Sequence, residues 1–170
     1  MNTDSKISEE EYKKALETIR QYNDQKSDGL LMNNLNYAGQ QILYDGLDVG
    51  NMYPTDIDAA LEFDNKHLIL LEVKYENKKI PIGQKLILER IVDNWVNSGG
   101  YDGATRDAIV LKVSHTIPPD EPMVLAEGMV TEIYYNGKWQ EKDKPAKVKP
   151  VLKSLARKWK INKLKSWYLL

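Results

Sequence analysis

Apolar positions recur along this chain in two rhythms. Over residues 7–23, "ISEEEYKKALETIRQYN", Tyr12, Ala15, Leu16 and Ile19 fall at helical spacing, Ser8 can cap the start, and three glutamates complement the positive end of the dipole. That pattern predicts a helix, and residues 30–44 predict a second one ended by Gly46. At "TDIDAALEF" (55–63) the period drops to two: Ile57, Ala59, Leu61 and Phe63 alternate with Asp56, Asp58, Ala60 and Glu62, and "DNK" follows as a turn. "HLILLEVKY" (67–75) is denser in Leu, Ile and Val, as expected of a strand covered on both faces and central in its sheet.

"PIGQKLILERIVDNWVNSGG" (81–100) opens on Pro, repeats Leu88, Ile91, Val92 and Trp95 at helical spacing, and stops at paired glycines. "DAIVLKVSH" (107–115) returns to the strand pattern, and a strand, helix and strand of these lengths suit a parallel crossover. "MVLAEGMVTEIYYNGKWQ" (123–140) reads as a pair of strands with a tight turn at its Asn-Gly, "EKDKPAKVKP" (141–150) as a linker, and residues 151–168 as a basic helix. The order predicts an α/β or α+β domain: a mixed central β-sheet flanked by helices, with the helices on the face opposite the charged positions.

A length of 170 residues suits one domain with an appendage, and 42% apolar with 29% charged residues is ordinary globular composition. No apolar run approaches the roughly 18 residues that span a bilayer, and the first residues are too acidic and polar for a signal peptide, so a cytoplasmic protein without a membrane partner is expected. The chain has no cysteine and only two histidines, His67 and His115, which excludes disulfide and thiolate chemistry and disfavours zinc. Any metal falls to carboxylates, which suit Mg²⁺ or Mn²⁺. The net charge of −1 is unevenly spread: residues 144–170 carry nine Lys or Arg and no acid, leaving 15 bases against 25 acids before them. The chain therefore divides into a domain over 1–143 and a basic helical extension over 144–170.

Asp56, Asp58, Glu72 and Lys74 lie within or against these apolar strands. Residues two apart share a face, so Asp56 goes with Asp58 and Glu72 with Lys74, and a hairpin about Asn65 lets both sets meet at one end. Burying a charged pair in an apolar strand returns little stability. A divalent ion changes that balance, because it compensates several carboxylates at once. Metal-assisted phosphodiester cleavage fits such a set, with Lys74 orienting or deprotonating the attacking water or neutralising developing charge.

"TDID" followed by "LEVK" resembles the PD-(D/E)XK nuclease superfamily, of the Holliday junction resolvase and RecB-like branches. Thr55 precedes Asp56 and Pro54 stands one position earlier, so the "PD" pair is not literal here. The resemblance implies a restriction-endonuclease-like core, Mg²⁺ or Mn²⁺ as cofactor, and DNA as partner. It implies Asp58 as the principal metal ligand with Glu72, Asp56 as a second ligand, Lys74 as the catalytic base or orienting group, and Gln84 from the following helix. Several members add a Glu from the helix before the first strand. The second expected helix has none, so Gln40, Gln41 or Glu17 is left for that place, Glu17 reading better as a solvated helix residue.

Further contacts to DNA are expected from Lys78 and Lys79 after the Glu-x-Lys strand, and from Lys153, Arg157, Lys158 and Lys160 in the basic extension. Such a nuclease would act in recombination, repair or phage DNA processing, and a homodimer would suit paired cuts. The alternative is a catalytically inactive module on the same fold that binds DNA or protein.

Overall fold

A computed structural model describes residues 55–100, 103–118, 121 and 123–161, together with Glu10, Lys13, Lys14 and Glu17. Those four are helical and exposed, in line with a solvated Glu17. The expected helix at 30–44, with Gln40 and Gln41, lies outside the described residues, as do residues 162–170.

The chain forms β1 (Ala59–Phe63), β2 (His67–Tyr75), α1 (Ile82–Asn97), β3 (Asp107–His115), β4 (Met129–Tyr135), β5 (Lys138–Lys147) and α2 (Val148–Lys158). Five strands make one mixed sheet in the order β1-β2-β3-β4-β5, an α+β architecture. β2 and β3 are parallel and joined through α1, whereas the other neighbours are antiparallel. The β1–β2 turn places Asp64 and Asn65 at φ 55° and 56°, and the β4–β5 turn places Asn136 and Gly137 at φ 50° and 73°. These are the left-handed conformations that tight hairpins require and that Asn, Asp and Gly tolerate best.

Alternation along the strands sorts the core into two layers. Ile69, Leu71, Ile109, Leu111, Val113 and Val130 face α2, meeting Val148, Leu152 and Trp159, with Ile161 just beyond it. Leu68, Leu70, Ala108, Val110 and Tyr134 face α1, meeting Leu88 and Val92. Among the described residues no helix is long and apolar enough to cross a membrane.

Three expectations change. β1 begins at Ala59, so Asp56 and Asp58 lie in the segment leading into the strand. Residues 141–147 are the second half of β5, not a linker, and α2 follows directly at Val148. β5 is an edge strand whose mostly exposed side chains tolerate charge, which hides it from an apolar count, and the expected boundary at 143/144 falls inside it. The helices cover both faces: Glu72 and Lys74 continue the set Leu68, Leu70 toward α1, because every second strand residue shares a side.

Candidate active site

The β1–β2 register ends with Ala59 opposite Leu71, so β2 runs on without a strand on that flank. Asp58 fills the gap: its Oδ2 accepts from the Val73 amide at 2.6 Å, completing the ladder with a side chain. That bond anchors the Asp58 carboxylate beside Glu72 and Lys74.

Glu72 is 0% exposed. Its Oε1 forms an ion pair with Lys74 Nζ. Its Oε2 is buried with no hydrogen-bond partner. Burial pushes the Glu72 carboxyl above its ordinary range; the Lys74 ammonium opposes this, and the negative charges of Asp58 and Asp56 add to it.

α1 starts next to this strand end and runs back along the sheet, burying Gln84, Leu88 and Val92 one turn apart. Gln84, in the first turn, is oriented from both sides: Lys74 Nζ donates to its Oε1 at 3.2 Å, and its Nε2 donates to the Asp56 carbonyl at 3.2 Å. Asp58, Glu72, Lys74 and Gln84 therefore converge at one end of β2. Asp56 joins them through its main chain, with its side chain exposed.

Mg²⁺ is ordinarily held by one or two carboxylates, with waters and substrate phosphates completing its shell. The buried, unpartnered Glu72 oxygen and the adjacent Asp58 carboxylate make such a sparse donor set. Among the described residues no group of three or more His, Cys, Asp or Glu side chains is arranged to hold a metal ion.

Lys78 and Lys79 are exposed beyond the tight turn after β2, where the Lys78 amide donates to the Tyr75 carbonyl at 3.1 Å. The basic extension lies elsewhere. α2 covers the opposite face, and Trp159 stacks on His67 at the far end of β2, with ring centroids 4.9 Å apart. Lys153 is half-buried, and Arg157, Lys158 and Lys160 are exposed. Lys158 sits 4.7 Å over the Tyr135 ring. The fold thus does not bring these four cations to Glu72 and Lys74.

Sequence reasoning missed Lys112 and Glu132. Lys112 is 2% exposed, stands level with Glu72 on β3, and pairs with Glu132 on β4 at 2.5 Å. A lysine inside the apolar run "DAIVLKVSH" was the available signal, of the same kind that singles out Glu72.

No family model, no curated protein and no solved structure matches the chain. The likeness to PD-(D/E)XK nucleases rests on the residues named above. What fold and site define together is an α+β domain with a carboxylate, lysine and glutamine cluster at a strand end.

Proposed function

We propose that the chain is a cytoplasmic, metal-dependent deoxyribonuclease of the PD-(D/E)XK kind, hydrolysing DNA phosphodiester bonds in recombination, repair or phage DNA processing. The observation that carries this reading is Glu72: a fully buried carboxylate with one oxygen unsatisfied, set beside Asp58 and Lys74. Stability alone disfavours such a group.

Asp58 and Glu72 would hold Mg²⁺ or Mn²⁺, with Asp56 as a further ligand. The ion supplies a water of lowered pKa and neutralises charge on the phosphate. Lys74, fixed between Glu72 and Gln84, orients that water and meets charge on the phosphate oxygens. Gln84 keeps Lys74 aimed by locking its own amide on the Asp56 carbonyl. Lys78 and Lys79 meet the DNA backbone next to the strand end, and Lys153, Arg157, Lys158 and Lys160 supply salt-dependent contacts on the other side of the sheet.

The test is a panel of plasmid, linear, single-stranded and branched DNA with Mg²⁺ or Mn²⁺. Cleavage that disappears in Glu72→Ala and Lys74→Ala is expected. No cleavage of any substrate, or cleavage indifferent to both substitutions, defeats the reading.

A second reading keeps the fold as a non-catalytic module that binds DNA or protein. It is favoured by the lack, among the described residues, of a third metal-binding side chain in the cluster. Metal binding together with loss of cleavage in Asp58→Asn would dismiss it.

A further inference from the structure

On the face that carries the site, Glu72, Lys112 and Glu132 stand side by side on three neighbouring strands. Glu72 is level with Lys112 in the parallel pair, and Lys112 is level with Glu132 in the antiparallel pair. Lys112 is almost sealed from solvent, so its ammonium needs a counter-charge inside the protein. Level neighbours in a sheet have Cβ atoms about 4.5–5.5 Å apart, which puts a carboxylate within a lysine's reach on either side.

Lys112 takes only one of the two. Its Nζ lies 2.5 Å from Glu132 Oε1, with the Asn77 carbonyl at 3.5 Å, while Glu72 Oε2 keeps no partner. β4 sets this choice. The register there skips Thr131, pairing Lys112 with Glu132 but Val113 with Val130, and a bulge of this kind re-aims the side chains beside it. Thr131 Oγ1 also donates to Asn77 Oδ1 at 3.0 Å, tying the bulge to the turn after β2.

We propose that Glu132 is a positioning residue: it holds Lys112 away from Glu72 and so keeps the second Glu72 oxygen open for a divalent cation. The proposal rests on the metal-binding reading of Glu72. Without the Glu132 carboxylate, the neighbouring acid left to a buried Lys112 is Glu72. An ammonium there takes the open oxygen and adds a positive charge where the cation would sit. Removing Glu132 alone should therefore harm cation binding more than removing Glu132 and Lys112 together. A purely structural role predicts the reverse order, because a second substitution in the sheet adds to the damage.

The experiment uses the full chain and Mn²⁺ alone, with binding followed by the electron paramagnetic resonance signal of the free ion. Glu132→Gln should lose about 10- to 100-fold in affinity, the range typical of residues that support metal ligands. Lys112→Met and the Glu132→Gln/Lys112→Met double variant should bind nearly as the wild type does. Wild-type binding by Glu132→Gln, or a double variant weaker than the single one, overturns the proposal. Urea unfolding adds a readout free of metal: Glu72→Gln and Lys112→Met should be additive in the wild type and non-additive once Glu132 is Gln. Coupling already present in the wild type, or absent from both backgrounds, refutes the restraint on Lys112. A wild type that binds no Mn²⁺ overturns the cation half together with the nuclease reading, and the unfolding cycle then decides whether Glu132 restrains Lys112.

Discussion

Glu72→Gln should stabilise the fold while abolishing cleavage. The substitution keeps length and volume but removes a negative charge from a side chain that is 0% exposed. Burial raises the Glu72 pKa, and Asp58 and Asp56 push the same way against Lys74. An acid whose pKa is raised in the folded state binds its proton more tightly there than in the unfolded chain. Its contribution to stability is complete below the ordinary value of 4.5 and is lost as pH rises through the folded-state pKa. At pH 7 the ionised Glu72 is therefore a cost that Gln does not carry.

The magnitude follows from two opposing effects. Replacing a buried ion pair by neutral groups of similar volume is neutral or stabilising by about 1–4 kcal/mol. Lys74 loses its partner, but its side chain is 21% exposed and it keeps Gln84 Oε1 at 3.2 Å, so that loss is about 1 kcal/mol or less. The balance runs from neutral to a gain of about 3 kcal/mol at pH 7, and each kcal/mol moves the melting temperature by about 2–4 °C in a chain of this size. Urea and thermal unfolding at pH 7 and pH 4, followed by tryptophan fluorescence, measure it beside the cleavage assay. Any advantage of the Gln variant should shrink toward pH 4. A variant less stable than the wild type by more than about 1 kcal/mol at pH 7, or a difference that ignores pH, would refute the reasoning.

Three further outcomes are expected. Burial lowers the pKa of His67 against the pull of Asp107, so the folded state favours neutral imidazole, and stability should fall as pH drops below 6.5 toward the folded-state pKa. His67→Gln should flatten that part of a urea-midpoint profile, and an unchanged slope would count against the assignment. The Tyr134 hydroxyl, pushed up to about 12 by burial and by its 2.8 Å bond to Asp93, should stay out of the main phenolate transition in an alkaline absorbance titration, and Tyr134→Phe should remove only that late step. Reversing Lys153, Arg157 and Lys160 to Glu should weaken DNA binding and flatten its salt dependence while leaving kcat at saturating DNA unchanged, because α2 covers the face away from Glu72.

β2, β3 and α1 were legible because each carries a long apolar run whose period decides its type, and the Asn136-Gly137 turn because its chemistry is specific to tight hairpins. β5 was not: its side chains are largely exposed at the sheet edge, and Pro145 reads as a linker residue. The cluster of Asp58, Glu72, Lys74 and Gln84 was legible through charges placed in apolar strands. The role of Lys112 was not, since composition marks it as anomalous without saying which neighbour it bonds. That answer needs the register across three strands and the bulge at Thr131. A charge count likewise could not tell that the basic helix packs on the face away from Glu72.

The three contacts that build the cluster form a closed ring over three consecutive segments. Asp58 reaches Val73 across the first hairpin, Lys74 reaches Gln84 across the next turn, and Gln84 returns to the Asp56 carbonyl. The geometry is therefore set by two short connections rather than by the hydrophobic layers. Both use left-handed residues: Asp64 and Asn65 in the first, Glu76 and Asn77 at φ 50° and 57° in the second. Asp and Asn accept that conformation readily, whereas Glu76 takes it at a cost of about 1–2 kcal/mol. The Glu76 amide donates to the His115 carbonyl at 2.8 Å, and the Asn77 side chain accepts from Thr131. The second turn is thus tied to β3 and β4, the strands that carry Lys112 and Glu132. The position of Lys74 against Gln84 and the pairing of Lys112 with Glu132 are in this way consequences of one turn, which makes the polar row across the sheet a single unit.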